Sequence, residues 1–450
     1  MSAFSFSQDR LRELAAEVLR HAARCGASAC ETDVSEGVGQ SVTVRKGEVE
    51  TIEFNRDKGV GVTVYLGQRR GHASTSDFSS ASLKATVEAA LSIARFTAED
   101  EAAGLPEPDL LAGPETAAMD LDLYHPWDLP VEAAIDIARR SEAAAFAVSP
   151  LVRNSEGATV SAHAAHFVSA NSLGFMGGFP STRHFISCVP IAGKGSDMQR
   201  DDWYSGWRDP AELAAPEAIG AYAARRALSR LGARKLKTRQ CQVMFEAPLA
   251  AMLLGSFVHA ASGGSLYRKA SFLVDALGKK IFPAWMRIEE RPHLRRGLAS
   301  SPFDDDGVAT RDRSVVADGV LQGYFLSTYT ARKLGMPTTG NAGGSHNLIV
   351  APTPAAPADF AGLLKDFGTG LLVTELLGHG INYVTGDYSR GAAGYWVENG
   401  EIAWPVHEIT VAGNLRDMFA GIAAIGRDTV TRGSRTVGSI VVNRMTVAGS

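Results

Sequence analysis

The sequence predicts an α+β protein of two domains: an amino-terminal domain of helices and antiparallel strands, and a strand-rich, mixed carboxy-terminal domain. Three observations lead there. The chain has 450 residues, more than one hydrophobic core usually organises. In its first half the apolar pattern switches repeatedly between the helical period of about 3.6 and the strand period of about 2. In its second half two Asx-Gly pairs sit between alternating apolar runs, a strong local signal for a hairpin.

Leu11, Leu14, Val18 and Leu19 fall at helical spacing and predict an amphipathic helix over 8–24. The period then becomes two. SVTVRKGEVETIEF reads as a hairpin around Lys46-Gly47, followed by GVGVTVYLG and a turn at QRRG. Helices are expected over 79–96, near 131–147 and near 210–231, with strands alternating across 152–189 between the last two. The basic, polar stretch GARKLKTRQ (232–240) marks the boundary, giving domains 1–232 and 233–450. Beyond it CQVMFEA reads as a strand that runs into an apolar helix. SVVADGVLQGYF and GYWVENGEIAWPV then turn at Asp318-Gly319 and Asn399-Gly400, pairs whose small or polar residues tolerate the positive φ of a type I′ turn.

Composition narrows the function classes. A hydrophobic content of 45% with 21% charged residues is that of an ordinary globular protein. A net charge of −4 argues against a general nucleic-acid binder, which needs a basic surface. The four cysteines (Cys25, Cys30, Cys188, Cys241) form no C-x-x-C pair and no disulfide framework. MSAFSFSQDRLRELAAEVLRHAARC lacks the basic-then-apolar order of a signal peptide, and the apolar run 247–261 is too short to span a bilayer. The expectation is a cytoplasmic chain with no membrane partner.

Several motifs hint at chemistry. Asp304-Asp305-Asp306-Gly307 lacks the alternation of a calcium loop and reads as a turn. His163 and His166 are three apart on a strand, so they face opposite sides and cannot share a metal. His407-Glu408 has no second histidine one turn on, and its β-branched neighbours say strand. GNAGGSHN (340–347), with Asn341, Ser345 and His346, lacks the lysine of a phosphate loop but suits a loop whose backbone approaches a ligand. Glu375 and His379 would share a face if helical, with His346 as a third donor, although flanking glycines favour a loop. No G-x-S-x-G serine turn is present. The stretch GSFVHAASGGSLYRKASF (255–272) carries one histidine, His259, and no acid.

LLGSFVHAASGGSLYRKASFL, DDDGVATRDRSVVADGVLQGYFLSTYTARKLG, GNAGGSHN and GYWVENGEIAWPVHEITVAGNL, with RKGEVETIEFNRDKGVGVTVYLGQRRGHASTSD near the start, together resemble the TldD/PmbA family on its PmbA (TldE) branch. The resemblance covers nearly the whole chain. It implies a two-subunit protease whose TldD-type subunit binds zinc through HExxxH on a helix, the glutamate serving as general base. In that subunit a basic residue follows the second histidine by eight positions. Aligning it on Arg268 places the first histidine at Gly255, the glutamate at Ser256 and the second histidine at Ala260. Shifting by one residue recovers His259 as the second histidine but leaves Leu254 and Gly255 in the other places. The late cysteine ligand of that subunit has no counterpart, because no cysteine follows Cys241.

The resemblance therefore implies a chain without catalytic residues or a metal of its own, assembled with a TldD-like subunit that carries zinc, for the maturation or proteolysis of unfolded peptides. Such peptides would be held by β-augmentation, and His259, Ser265, Tyr267, Arg268, Lys269, Asn341, Ser345 and His346 are the expected contacts to substrate or to the partner subunit. His259 is expected as a core or interface histidine. Two alternatives are a homodimeric peptide-binding or regulatory protein and a hydrolase using Glu375 and His379.

Overall fold

A computed structural model describes residues 4–449, and positions 1–3 and 450 lie outside the described residues. The fold is α+β, with long antiparallel strands in its first half. The chain divides into two compact units: a first running to Ser229 and including His293–Thr310, and a second made of Arg230–Pro292 and the described residues from Arg311 onward. A single cut at 232/233 assigns the segment His293–Thr310 to the carboxy-terminal half, whereas it groups with the first unit.

The first unit is built on one eight-stranded antiparallel sheet. Its path runs Arg69–Thr75, Glu48–Leu66, Ala29–Arg45, Val152–Asn171, Pro180–Ala192 and Gln199–Arg200, with Met176–Gly177 and Trp203–Trp207 as side pairings. Two helix pairs cover it. Gln8–Arg24 and Ser80–Phe96 bury Leu11, Leu14, Val18, Leu83 and Val87 against Val34, Val60, Val62 and Val168. Val131–Ala147 and Pro216–Ser229 bury Ala134, Ala138, Ile219 and Ala223 against Val42, Val160 and Ile186. Val34 and Val42, like Val168 and Val160, have equal parity along their strands, so both pairs lie on one face of the sheet.

Two local readings need correction. GVGVTVYLG is not a separate strand but the second half of one 19-residue strand, Glu48–Leu66: despite Asn55, Asp57 and Gly59, the ladder with Ala29–Arg45 runs without a register shift through 55–59. Its turn falls at Gly67-Gln68. The helix expected near 210–231 is a 3₁₀ turn, Pro210–Glu212, followed by Pro216–Ser229. Each proline opens a helix where its missing N–H is harmless and separates it from the chain before.

Among the described residues, Glu48–Gly59 of the long strand pairs only with Ala29–Arg45, because the third strand joins from Val60 onward. The residues 48–58 are exposed on both faces, and Phe54 is 64% exposed.

The second unit holds two six-stranded sheets. One is ordered Glu401–Asn414, Asp387–Glu398, Gly370–Leu377, Arg239–Phe245, Ile440–Ala448 and Ile422–Ile425, with Gly370–Leu377 parallel to Arg239–Phe245. A further pairing of Glu401–Asn414 with Ile440–Ala448 closes five of these strands into a ring. The other is ordered Val320–Leu321, Arg313–Ala317, Ile288–Glu290, Leu348–Val350, Arg435–Val437 and Val430–Arg432. The turns are as the sequence indicates: Asp318-Gly319 and Asn399-Gly400 both take positive φ at each position (50° and 77°, 52° and 80°).

At Gly71 the helix Ser80–Phe96 rests directly on the sheet, and a Cβ there would overlap the carbonyl oxygen of Ala90 and the amide nitrogen of Ala94. Gly71→Ala is expected to destabilise the first unit by about 1–3 kcal/mol through overpacking. Gly37→Ala, which meets nothing within 4 Å, is expected to stay within about 0.5 kcal/mol. Chemical unfolding of the two variants tests the difference.

Candidate functional site

Strand Arg239–Phe245 leads into helix Ala247–Ala260, with Pro248 in the first turn where no N–H is needed. The helix is apolar almost all round, as expected of a core helix. Leu249, Leu253, Leu254, Phe257 and Ala260 enter the main core of the second unit, where the Phe257 ring packs edge-on to Phe282 and Phe419. Met252 and His259, seven residues apart, mark the one stripe that reaches solvent. His259 is exposed, which excludes the core half of the core-or-interface expectation and leaves the interface half; its ring centre lies 4.1 Å from that of Tyr383.

The positions that the resemblance, in its first register, sets against the metal motif are Gly255, Ser256 and Ala260. Ser256 and Ala260 are buried. None of the three presents a nitrogen, thiolate or carboxylate donor, so these residues do not fit a catalytic zinc. Against Gly255 lies a cation instead. A Cβ on Gly255 would stand 3.2 Å from Nη1 and 3.3 Å from Cζ of Arg435. The Arg435 Nε is buried without a hydrogen-bond partner, and burial pulls the guanidinium pKa down. A histidine restored at 255 would have to displace this side chain.

After the helix the chain turns through Gly263–Tyr267. Ser265 is buried and its hydroxyl accepts from Ser262 Oγ at 3.1 Å, so it is a packing residue rather than a surface contact. Tyr267 is half-buried, its ring beneath the Arg268 guanidinium (5.2 Å to the centre) and edge-on to Tyr329. Arg268 and Lys269 are exposed. A cleft of about 350 Å³ lies just beyond, lined by Phe272, Val274, Ile281, Arg416 and Phe419 and by none of the residues singled out in the sequence.

GNAGGSHN folds around a carboxylate that the sequence reading did not single out. Glu290, 1% exposed, accepts from the His346 backbone N–H at 2.7 Å and Asn341 Nδ2 at 2.8 Å on Oε1, and from Arg313 Nε at 2.6 Å on Oε2. The His346 Nδ1 is 3.3 Å away. Arg313 Nη2 also donates to Asn341 Oδ1 at 3.0 Å, and Asn341 Nδ2 to the Gly344 carbonyl at 3.0 Å. Asn341 and His346 are thus buried framework, and only Ser345 is half-exposed. Burial pushes the Glu290 carboxyl up, but the His346 hydrogen bond, the Arg313 charge and the backbone N–H outweigh it and hold the pKa at about 2, against an ordinary 4.5. The inward parity of Glu290 in RIEERPH was the one available signal.

The network and the helix meet across one sheet. Glu290 pairs with Leu348, and Leu348 with Arg435, so the carboxylate and the cation at Gly255 stand in one row. The Arg313 guanidinium also covers the Phe325 ring at 5.2 Å, and the Phe325 carbonyl accepts from Gly263 N at 2.8 Å.

The remaining motifs do not assemble. Glu375 lies on strand Gly370–Leu377, not a helix, and is ion-paired with the buried Arg230; His379 lies exposed beyond the strand end. Glu408 pairs with Lys235 at 2.8 Å. Asp304 caps its turn, accepting from Asp306 N and Val308 N. His163 is exposed and His166 buried, on opposite faces of one strand.

Removing the Glu290 charge leaves Arg313 buried without its partner, and Glu290→Gln is expected to cost about 3–5 kcal/mol. Because the folded-state pKa lies below the unfolded one, the carboxylate's contribution is complete above about pH 4.5 and is lost as pH falls toward 2. The loss is on the order of 3 kcal/mol. Urea unfolding across this range should show that slope in the parent chain and a flatter one in Glu290→Gln.

Three family models match in order: PmbA/TldA metallopeptidase domain 1 over 30–94, the central domain over 124–231 and the C-terminal domain over 238–449. The chain is 46% identical to Metalloprotease PmbA of Escherichia coli O157:H7 over 443 residues, 98% of this chain and 97% of that one. It is 44% identical to the Metalloprotease PmbA homolog of Haemophilus influenzae, with the same coverage. A crystal structure of a candidate DNA gyrase modulator from Bacteroides thetaiotaomicron superposes with a TM-score of 0.91 at 26% identity, covering 99% of this chain and 100% of that one. TldE from Thermococcus kodakarensis shares the fold, with a TM-score of 0.82 at 18% identity over 97% of this chain and 100% of that one. With matched domains and near full-length identity in agreement, the chain belongs to the PmbA/TldE branch of the TldD/PmbA metallopeptidase family.

Proposed function

We propose that this chain is the non-catalytic subunit of a zinc metallopeptidase, assembled with a TldD-like subunit that carries the zinc, and that the assembly cuts unfolded or flexible peptides. One observation carries the reading: the Arg435 guanidinium lies against Gly255, where the family alignment puts the first zinc histidine. A fixed positive charge repels a divalent cation, and no carboxylate at position 256 is available as general base. The helix is kept for its packing, with Phe257 and Leu254 among the most buried side chains of the second unit.

The peptide half of the reading draws support from the free strand edge at Glu48–Gly59. An extended chain can add there by backbone hydrogen bonds, which are indifferent to its sequence but demand that it be unfolded. Ile52 and Phe54 project from the same face and offer apolar contact.

Incubating an unfolded polypeptide with this chain, with the TldD-like subunit and with both is the direct test. Cleavage is expected only in the mixture and is expected to stop with a chelator. Chelator-sensitive cleavage by this chain alone would overturn the reading. Phe54→Asp in the mixture is expected to reduce turnover of the unfolded substrate several-fold while the two subunits still co-elute.

A further inference from the structure

Three metal-binding donors converge in the first unit, on side chains for which the peptidase reading has no use. His21 and Cys25 are four residues apart at the end of helix Gln8–Arg24, with Cys25 as its C-cap, so both project from one face. Glu88 comes from the neighbouring helix Ser80–Phe96. The two helices share a core, and Ser80 Oγ also donates to Glu17, so the backbones that present these groups are fixed by packing.

The spacing is informative. His21 Nε2 lies 3.5 Å from Cys25 Sγ and 3.4 Å from Glu88 Oε1, and the three donor atoms are all within 4.8 Å of one another. A tetrahedral zinc with its usual Zn–N, Zn–O and Zn–S bond lengths sets an N···S edge of about 3.5 Å and an N···O edge of about 3.3 Å. Two edges of the coordination polyhedron are thus already in place. The third closes by rotation of Glu88, whose side chain is 65% exposed while that of His21 is 13% exposed. Among the described residues this is the one such group of three donors.

Chemistry and position agree. A thiol, an imidazole and a carboxylate suit zinc and its neighbours rather than magnesium or calcium, which prefer oxygen throughout. The site lies at a helix carboxy-terminus, where the backbone carbonyls favour a cation. The other cysteines are poorly placed to compete: burial raises the thiol pKa of Cys30 and Cys188 to about 12 and that of Cys241 above its ordinary value.

We propose that His21, Cys25 and Glu88 hold a zinc-type divalent cation, with water as the fourth ligand, tying together the two helices that cover one end of the first sheet. The proposal departs from the expectation of a chain with no metal of its own, and it does not depend on the peptidase assignment.

The test uses the full chain alone, stripped with chelator and titrated with cobalt(II). The expected result is visible absorption of tetrahedral cobalt together with a near-ultraviolet thiolate-to-cobalt band, saturating at one cobalt per chain and displaced by zinc(II). Cys25→Ser is expected to abolish the thiolate band, Cys241→Ser to keep it, and Glu88→Gln to weaken cobalt affinity at least tenfold. Circular dichroism of the metal-free Cys25→Ser chain, unchanged from the parent, shows that the loss is not unfolding. A folded parent chain with no thiolate band, or a band that survives Cys25→Ser, overturns the proposal. Because the readout is spectral and needs no partner, failure of the peptidase reading leaves it untouched.

Discussion

The second unit depends on keeping one ionised carboxylate out of water. A buried charge is tolerated only when it is paired and its lone pairs are filled, and Glu290 satisfies both conditions with groups from three directions. Strand Ile288–Glu290 supplies the acid, strand Arg313–Ala317 the guanidinium, and the loop before Leu348–Val350 an amide and a backbone N–H. The glycines of that loop let its backbone wrap tightly enough to donate. The loop that the sequence offers as a ligand-contacting one wraps the protein's own carboxylate with Asn341 and the His346 backbone, while Gly343, Gly344 and Ser345 face outward. The same arginine holds Phe325, which anchors the chain as it leaves the helix Ala247–Ala260.

That helix is held in place by packing. A helix that presents metal ligands must also pack, and here packing is all that Leu253, Leu254, Phe257 and Ala260 do. Gly255 leaves room on the remaining face, and Arg435 fills it from a strand far away in sequence. The small residues Gly255 and Ala260, the Arg435 guanidinium beside Gly255 and the core contacts around them make a consistent set.

Local signals were legible in the sequence; long-range ones were not. Lys46-Gly47, Asp318-Gly319 and Asn399-Gly400 announced their turns because positive φ is a property of two adjacent residues. The helices over 8–24 and 131–147 followed from their apolar period, and Ser7 and Ser79 cap the first two helices of the chain. Glu290 was overlooked because its partners lie 23 to 56 residues away, and its shared parity with Ile288 in RIEERPH is a signal only two residues long. Whether His259 belongs to core or surface was hidden for a related reason: an apolar helix looks buried all round until the sheets around it reveal the uncovered stripe. The pairing of Glu375 with Arg230 was equally hidden, since strand and loop, not helical period, decide where Glu375 points.

The free edge at Glu48–Gly59 has a polarity as well as a vacancy. Glu48, Glu50 and Glu53 come before Arg56, Asp57 and Lys58, so the edge is strongly acidic at one end and weakly basic at the other. A strand arriving antiparallel matches these charges when its own acidic residues precede its basic ones, and a parallel arrival needs the reverse order. Backbone hydrogen bonding alone cannot tell the two ends of a visiting chain apart to this extent. The charge order gives the edge a sense of direction and sorts incoming strands by orientation before any side-chain pocket is reached.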